Sequence, residues 1–272
     1  MMFRGLGRGM DMRFVSNRIV AGGFLVALGG FVTAAAIGGR LSYLEAVGSA
    51  FAVGIGWAIG RELDPDRAHV ASLAMLAAAT GAIVARPDVL VCAAALLTLR
   101  MVTGSVGRFL GPTDLLLVAL VGFGSGGALW AWPIGIVAFA ALRSAPEFGP
   151  LRWWAVGVLT VSFVTGWYRA DLAPVTITGE TALIAAGCLV AAALSMIRVV
   201  AVSPTDRAGG SIEVRRVRLS RLSAASLVGV AALVGGVDAF WAIAPVGGAV
   251  AAVAVGSVVA LFVGSVDLEL DS

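Results

Sequence analysis

The chain reads as an all-α protein, a polytopic transmembrane bundle of about ten short helices, on three observations. Of its 272 residues, 60% are hydrophobic and 13% are charged, whereas soluble domains hold about 45–50% apolar and about 25% charged residues. The apolar residues gather in uncharged runs, among them Ile19–Ile37, Leu115–Trp130, Thr181–Met196 and Ala244–Val263, with lengths near or above the roughly 18 residues of a bilayer span. Nothing between the runs is long enough for a folded soluble domain. The organisation that follows is an Arg-rich segment over 1–18, a single transmembrane domain over 19–264 with a cytoplasmic loop at 203–222, and an acidic tail over 265–272.

Ten spans are expected, at 19–38, 41–60, 68–85, 88–102, 115–129, 131–142, 153–168, 181–200, 223–243 and 245–264. The first follows Arg4, Arg8, Arg13 and Arg18 and ends near Thr33-Ala34-Ala35-Ala36, in the manner of a secretory signal peptide. Its apolar run exceeds the usual 7–15 residues of such a peptide, so it reads as a retained helix. Gly38-Gly39-Arg40, Asp64-Pro65-Asp66 and Arg86-Pro87-Asp88 mark the breaks that follow, since glycine and proline stop helices. Gly56 with Gly60, and Gly122 with Gly126, stand four apart, the spacing that lets helix backbones approach closely.

The segment 115–142 is either one long helix or a hairpin of two short ones, and arginine placement decides. Arginine concentrates in short cytoplasmic loops. With a hairpin and a cytoplasmic N-terminus, sixteen of the nineteen arginines fall inside and Arg40, Arg86 and Arg169 outside. With one helix the split becomes nine against ten, and the bias vanishes. The hairpin model puts both termini in the cytoplasm and its own turn near Gly124–Gly127 or Trp130–Pro133. Tyr43, Trp130, Trp132, Trp167, Tyr168 and Trp241 then lie near the outer interface, and Trp57, Trp153 and Trp154 near the inner one, as amphipathic rings prefer. Helices this short also suit half-helices meeting at a binding site. A helix-pair repeat is suggested by Gly60-Arg61-Glu62-Leu63-Asp64-Pro65 and Gly107-Arg108-Phe109-Leu110-Gly111-Pro112, which share G-R-x-L-x-P.

The densest polar cluster runs from Arg61 to His69 and contains Glu62, Asp64, Asp66 and Arg67. Carboxylate oxygens suit magnesium, and arginines clamp phosphates bidentately. Glu62, Asp64 and Asp66 are therefore candidate magnesium ligands. Arg61, Arg67, Arg100 and Arg108 are candidate contacts to a charged head group, with Asp114, Arg143 and Arg152 on the same face. The structural alternative is a turn with surface ion pairs that anchors two helix ends. The acidic loop between the second and third spans resembles, in position, the magnesium-holding loop of the UbiA-type membrane prenyltransferases. That resemblance implies a prenyl diphosphate as substrate. It covers about ten residues, lacks the N-D-x-x-D core and has no second acidic loop, so no family is assigned.

Glu45 and Asp238 are charges inside spans, each near an outer end, where they snorkel or pair with Arg40 or Arg169. The absence of lysine excludes Schiff-base chemistry. There is no H-E-x-x-H and no Walker A motif. Ser125, a candidate substrate contact in a glycine-rich turn, is expected on the opposite side of the membrane from His69, so the two form no Ser–His dyad. Cys92 and Cys188 have neither disulfide nor zinc spacing. Arg215-Arg216-Val217-Arg218-Leu219-Ser220-Arg221 is juxtamembrane, which favours anionic lipid head groups over nucleic acid. The sequence thus points to a membrane partner, with a protein partner or a homo-oligomer expected, or to a small-molecule carrier. The alternative is a magnesium-dependent enzyme acting on a lipid-linked phosphate or diphosphate.

Overall fold

A computed structural model describes residues 15–38, 41–105, 110, 112–144, 149–168, 177–197, 199 and 212–262. Among them are ten α-helices and no strand. They are α1 (Val15–Ala36), α2 (Tyr43–Leu63), α3 (Ala68–Val84), α4 (Val89–Thr103), α5 (Pro112–Gly126), α6 (Trp132–Ser144), α7 (Arg152–Trp167), α8 (Gly179–Ser195), α9 (Val214–Ala242) and α10 (Ala244–Phe262). Four of these, α1, α2, α9 and α10, are long and apolar enough to cross a membrane.

Local chemistry sets the helix ends. Ser42 caps α2 in a reciprocal capping box with Glu45, and Thr178 does the same for α8 with Thr181. Asp88 accepts the Val91 amide at the start of α4, and Pro112 opens α5, where its missing N–H costs nothing. Gly104 ends α4 in the left-handed region at φ 63°, a conformation that glycine adopts without strain. Segment 115–142 is broken between Gly126 and Trp132 by extended Ala128 and a short 3-10 turn, Leu129–Ala131.

The contacts fix the helix directions. A Cβ on Gly122 would lie 2.6 Å from the Leu159 carbonyl oxygen, and one on Gly126 would stand on that of Phe163 and 3.0 Å from the Trp167 amide, so α5 and α7 run side by side in the same sense. Trp132, at the start of α6, packs edge-on against Phe163 and Trp167 near the end of α7, with centroids 5.8 and 6.1 Å away. The helix α6 therefore runs back against both, and α5–α6 is an antiparallel helical hairpin. The start of α2 pairs with the end of α3 through Glu45 and Arg86. The Asp88 amide donates to Ala242 O at 2.8 Å, joining the start of α4 to the end of α9. A Cβ on Gly81 would meet that of Ala244 at 2.7 Å, so α10 runs antiparallel to α3. Successive helices thus alternate between two ends of one bundle. One end carries Arg18, Arg61, Arg67, Arg100, Arg143, Arg152, Arg215, Arg216, Arg218 and Arg221, and the other carries Arg86 among the described residues.

Two features depart from expectation. First, α9 begins at Val214, so the last nine residues of the segment expected as loop 203–222 are helical. Its arginines lie on a helix instead of in a loop, with Arg215 and Arg218 exposed and Arg221 buried. Second, α9 is interrupted at Gly236 (φ 75°, ψ −166°), backbone that is open essentially to glycine alone. The turn there carries Val237–Ala242 toward α4 and α10. Most of the second copy of the repeated hexapeptide, Gly107–Phe109 and Gly111, lies outside the described residues.

Candidate functional site

The arginine end holds a buried polar network where Arg61–His69 was expected to carry chemistry. Glu62 is in the last turn of α2 and is 4% exposed. One carboxylate oxygen takes Arg100 Nε at 3.1 Å, and the other takes the hydroxyls of Thr103 at 3.1 Å and Ser105 at 2.6 Å. A single side chain of α2 therefore gathers the last turn of α4 and the residues after it. Gly104 makes the turn between these donors, and a Cβ on it would run into the Arg216 guanidinium.

Asp64 directly follows α2 and is 1% exposed. Arg67 Nη2 lies 2.6 Å and Arg221 Nη2 3.3 Å from its Oδ2. These contacts have ion-pair distance without hydrogen-bond alignment, since Asp64 Oδ2 and Arg221 Nη2 lack a hydrogen-bond partner. Burial raises the Asp64 carboxyl above its ordinary range, and the charges of Arg221 and Arg67 pull it back. Arg221 is 2% exposed and donates through Nε to Leu63 O at 2.7 Å and through Nη1 to Ser195 O, both carbonyls at helix C-termini. Arg67 donates to Gly256 O at 2.7 Å and to Ser257 Oγ at 3.2 Å. The two clusters tie α2 to α4 on one side and to α3, α8, α9 and α10 on the other.

The candidate metal ligands do not converge. Glu62 and Asp64 engage different arginines, and the described residues contain no group of three His, Cys, Asp or Glu side chains able to hold a metal. Asp66 is half-buried beside Asp64 and His69 is exposed. Of the candidate head-group contacts, Arg67 and Arg100 are ligands of these carboxylates, Arg61 is half-buried, and Arg108 lies outside the described residues. Ser125 is fully buried and donates to Val121 O at 2.7 Å and Gly122 O at 3.2 Å in its own helix. Its hydroxyl is used internally. Glu45, expected to snorkel or to pair with Arg40 or Arg169, pairs with Arg86; Arg40 and Arg169 lie outside the described residues, and Asp238 is exposed.

The chain matches no known protein family, curated protein or solved structure. The positional likeness of its acidic loop to the membrane prenyltransferases therefore stands on that loop alone, and there Glu62 and Asp64 are engaged by guanidinium groups.

A second feature lies on the flank of the bundle. A groove of about 890 Å³ runs along α7 between it, α5 and the start of α4. Its walls include Leu90, Leu120, Phe123, Trp153, Trp154 and Val161. It opens sideways, since Trp153, Trp154 and Val161 are exposed. Sequence reasoning missed both this groove and Arg221. The signal for Arg221 was its spacing: it stands on one helical face with Val217, Ala224, Ala225 and Val228, all buried.

Proposed function

We propose that the chain is a multi-pass integral protein of the cell membrane, with its arginine end in the cytoplasm, and that it acts as a membrane partner that binds within the bilayer plane. The observation that carries the first part is the sorting of charge onto alternating helix ends. Ten of the eleven described arginines share one end, and guanidinium groups resist translocation. With ten crossings both termini lie on that side. The aromatic cluster of Trp132, Trp167 and Tyr168 then sits at the outer interface, and Trp153 and Trp154 at the inner one.

The second part rests on how the polar groups are engaged. Glu62, Asp64, Arg67, Arg100 and Arg221 hold helices to one another, which favours a structural clamp over a magnesium site. The close contact of α5 with α7 at Gly122 and Gly126 argues against a carrier path between those two helices. The exposed features are apolar flanks, the lateral groove and the basic face of α9 at Arg215 and Arg218, which suits anionic lipid head groups.

The test is single-cysteine labelling in a background lacking Cys92 and Cys188. A cysteine at Arg218 is expected to react from the cytoplasmic side only, and one at Ile177, before α8, from the outside only. Labelling of both from one side would overturn the topology. A rise in wild-type melting temperature on adding magnesium that Asp66→Asn removes would restore the enzyme reading.

A further inference from the structure

We infer that the lateral groove is a binding site for one acyl chain of an anionic glycerophospholipid of the cytoplasmic leaflet, with the lipid phosphate at Arg152. The inference deepens the membrane reading above and rests on it. The groove's chemistry sets the occupant. Its two described hydroxyls are engaged inside α7, Ser162 with Val158 O at 2.7 Å and Leu159 O at 3.1 Å, and Thr165 with Val161 O at 2.8 Å. The remaining lining is aliphatic and aromatic, so a sugar, nucleotide or ion would lose its hydration without replacement, whereas an alkyl chain loses none.

Length and charge select among apolar occupants. From Trp153 to Thr165 the groove follows twelve residue steps of α7, about 18 Å at ~1.5 Å per residue. One leaflet of a roughly 30 Å hydrocarbon core is about 15 Å deep, so the groove matches a single leaflet and not a spanning helix. A positive charge stands at its inner mouth: Arg152 places its guanidinium carbon 5.1 Å from the centroid of Trp153, a wall of the groove. Arg152 also begins α7, whose N-terminal dipole end favours anions. A lipid seated with its chain along α7 therefore brings its phosphate to a guanidinium held over an interfacial tryptophan.

Gly157 provides the test. It lines the groove, and a Cβ built on it meets nothing within 4 Å, so Gly157→Leu fills the groove without moving a helix. Gly187 on α8 is equally open and lies outside the groove, so Gly187→Leu is the control. The readout is native mass spectrometry of the detergent-purified full chain titrated with phosphatidylglycerol or phosphatidylcholine. Wild type and Gly187→Leu are expected to retain one phosphatidylglycerol. Gly157→Leu should bind it about tenfold more weakly or worse, the factor for two displaced methylenes. Arg152→Gln should keep the chain site and lose about fivefold of the preference for phosphatidylglycerol, as one arginine at the surface supplies. Equal retention by Gly157→Leu and wild type overturns the site, as does a protein segment found crosslinked in the groove. Carbonate extraction separates the two levels: a chain that stays in the membrane pellet yet shows no groove-dependent lipid refutes only this site, whereas release into the supernatant refutes the membrane reading itself.

Discussion

Replacing Glu62 by alanine asks the most of the clamp at the arginine end. The side chain is 4% exposed and is the common acceptor for three donors, Arg100 Nε at 3.1 Å, Thr103 Oγ1 at 3.1 Å and Ser105 Oγ at 2.6 Å. Alanine leaves the Arg100 side chain, 12% exposed, without its carboxylate. Breaking a buried ion pair from one side costs about 3–5 kcal/mol. The Thr103 hydroxyl also reaches Arg100 O at 3.2 Å and recovers a partner, so the hydroxyls add little and the lower half of that range is expected. Arg100→Met should cost a comparable amount. Because both variants break the same contact, the double variant should fall short of their sum by about 1–3 kcal/mol. Glu62→Gln keeps the shape and the acceptor oxygen and should lie between wild type and Glu62→Ala. The assay is unfolding in mixed micelles by denaturing detergent, followed by tryptophan fluorescence. A Glu62→Ala protein as stable as wild type, or strictly additive single variants, would show that the carboxylate does not hold α2 to α4.

Two further outcomes are expected. Gly126→Ala drives a methyl group onto the Phe163 carbonyl and should cost about 1–3 kcal/mol as overpacking, while Gly127→Ala, whose nearest neighbours stand at 3.7 Å, should be near neutral in the same unfolding assay. Burial raises the folded-state carboxyl of Asp64 above its ordinary value of 3.8. Between that value and the folded one the native protein holds a proton that the unfolded chain has lost, so stability should fall as pH rises through this window and level off above it. Melting temperature against pH checks this, and Asp64→Asn should flatten the slope.

Most helix positions were legible because hydropathy and breakers agree. The expected span 88–102 became Val89–Thr103, and 68–85 became Ala68–Val84. The hairpin at 115–142 was read from arginine distribution alone, although its hydropathy is continuous. What escaped was the start of α9. A window that stops at charge starts the span only after Arg221, yet that guanidinium lies inside the bundle, where carbonyls at the ends of α2 and α8 accept its hydrogen bonds. Likewise, three acids in five residues read as a joint metal site. The helix end at Leu63 separates them in space: Glu62 belongs to the helix and faces α4, while Asp64 follows it and faces α3 and α9. Linear spacing carries no record of that divergence.

The clamp joins residues far apart in the sequence, so its parts are synthesised at different times. Glu62 and its partner Arg100 are both present once α4 has been made. Of its two arginines Asp64 has only Arg67 until Arg221 is made, and the partners of Arg67 at Gly256 and Ser257 come later still. A half-made chain therefore holds Asp64 with one of its two arginines.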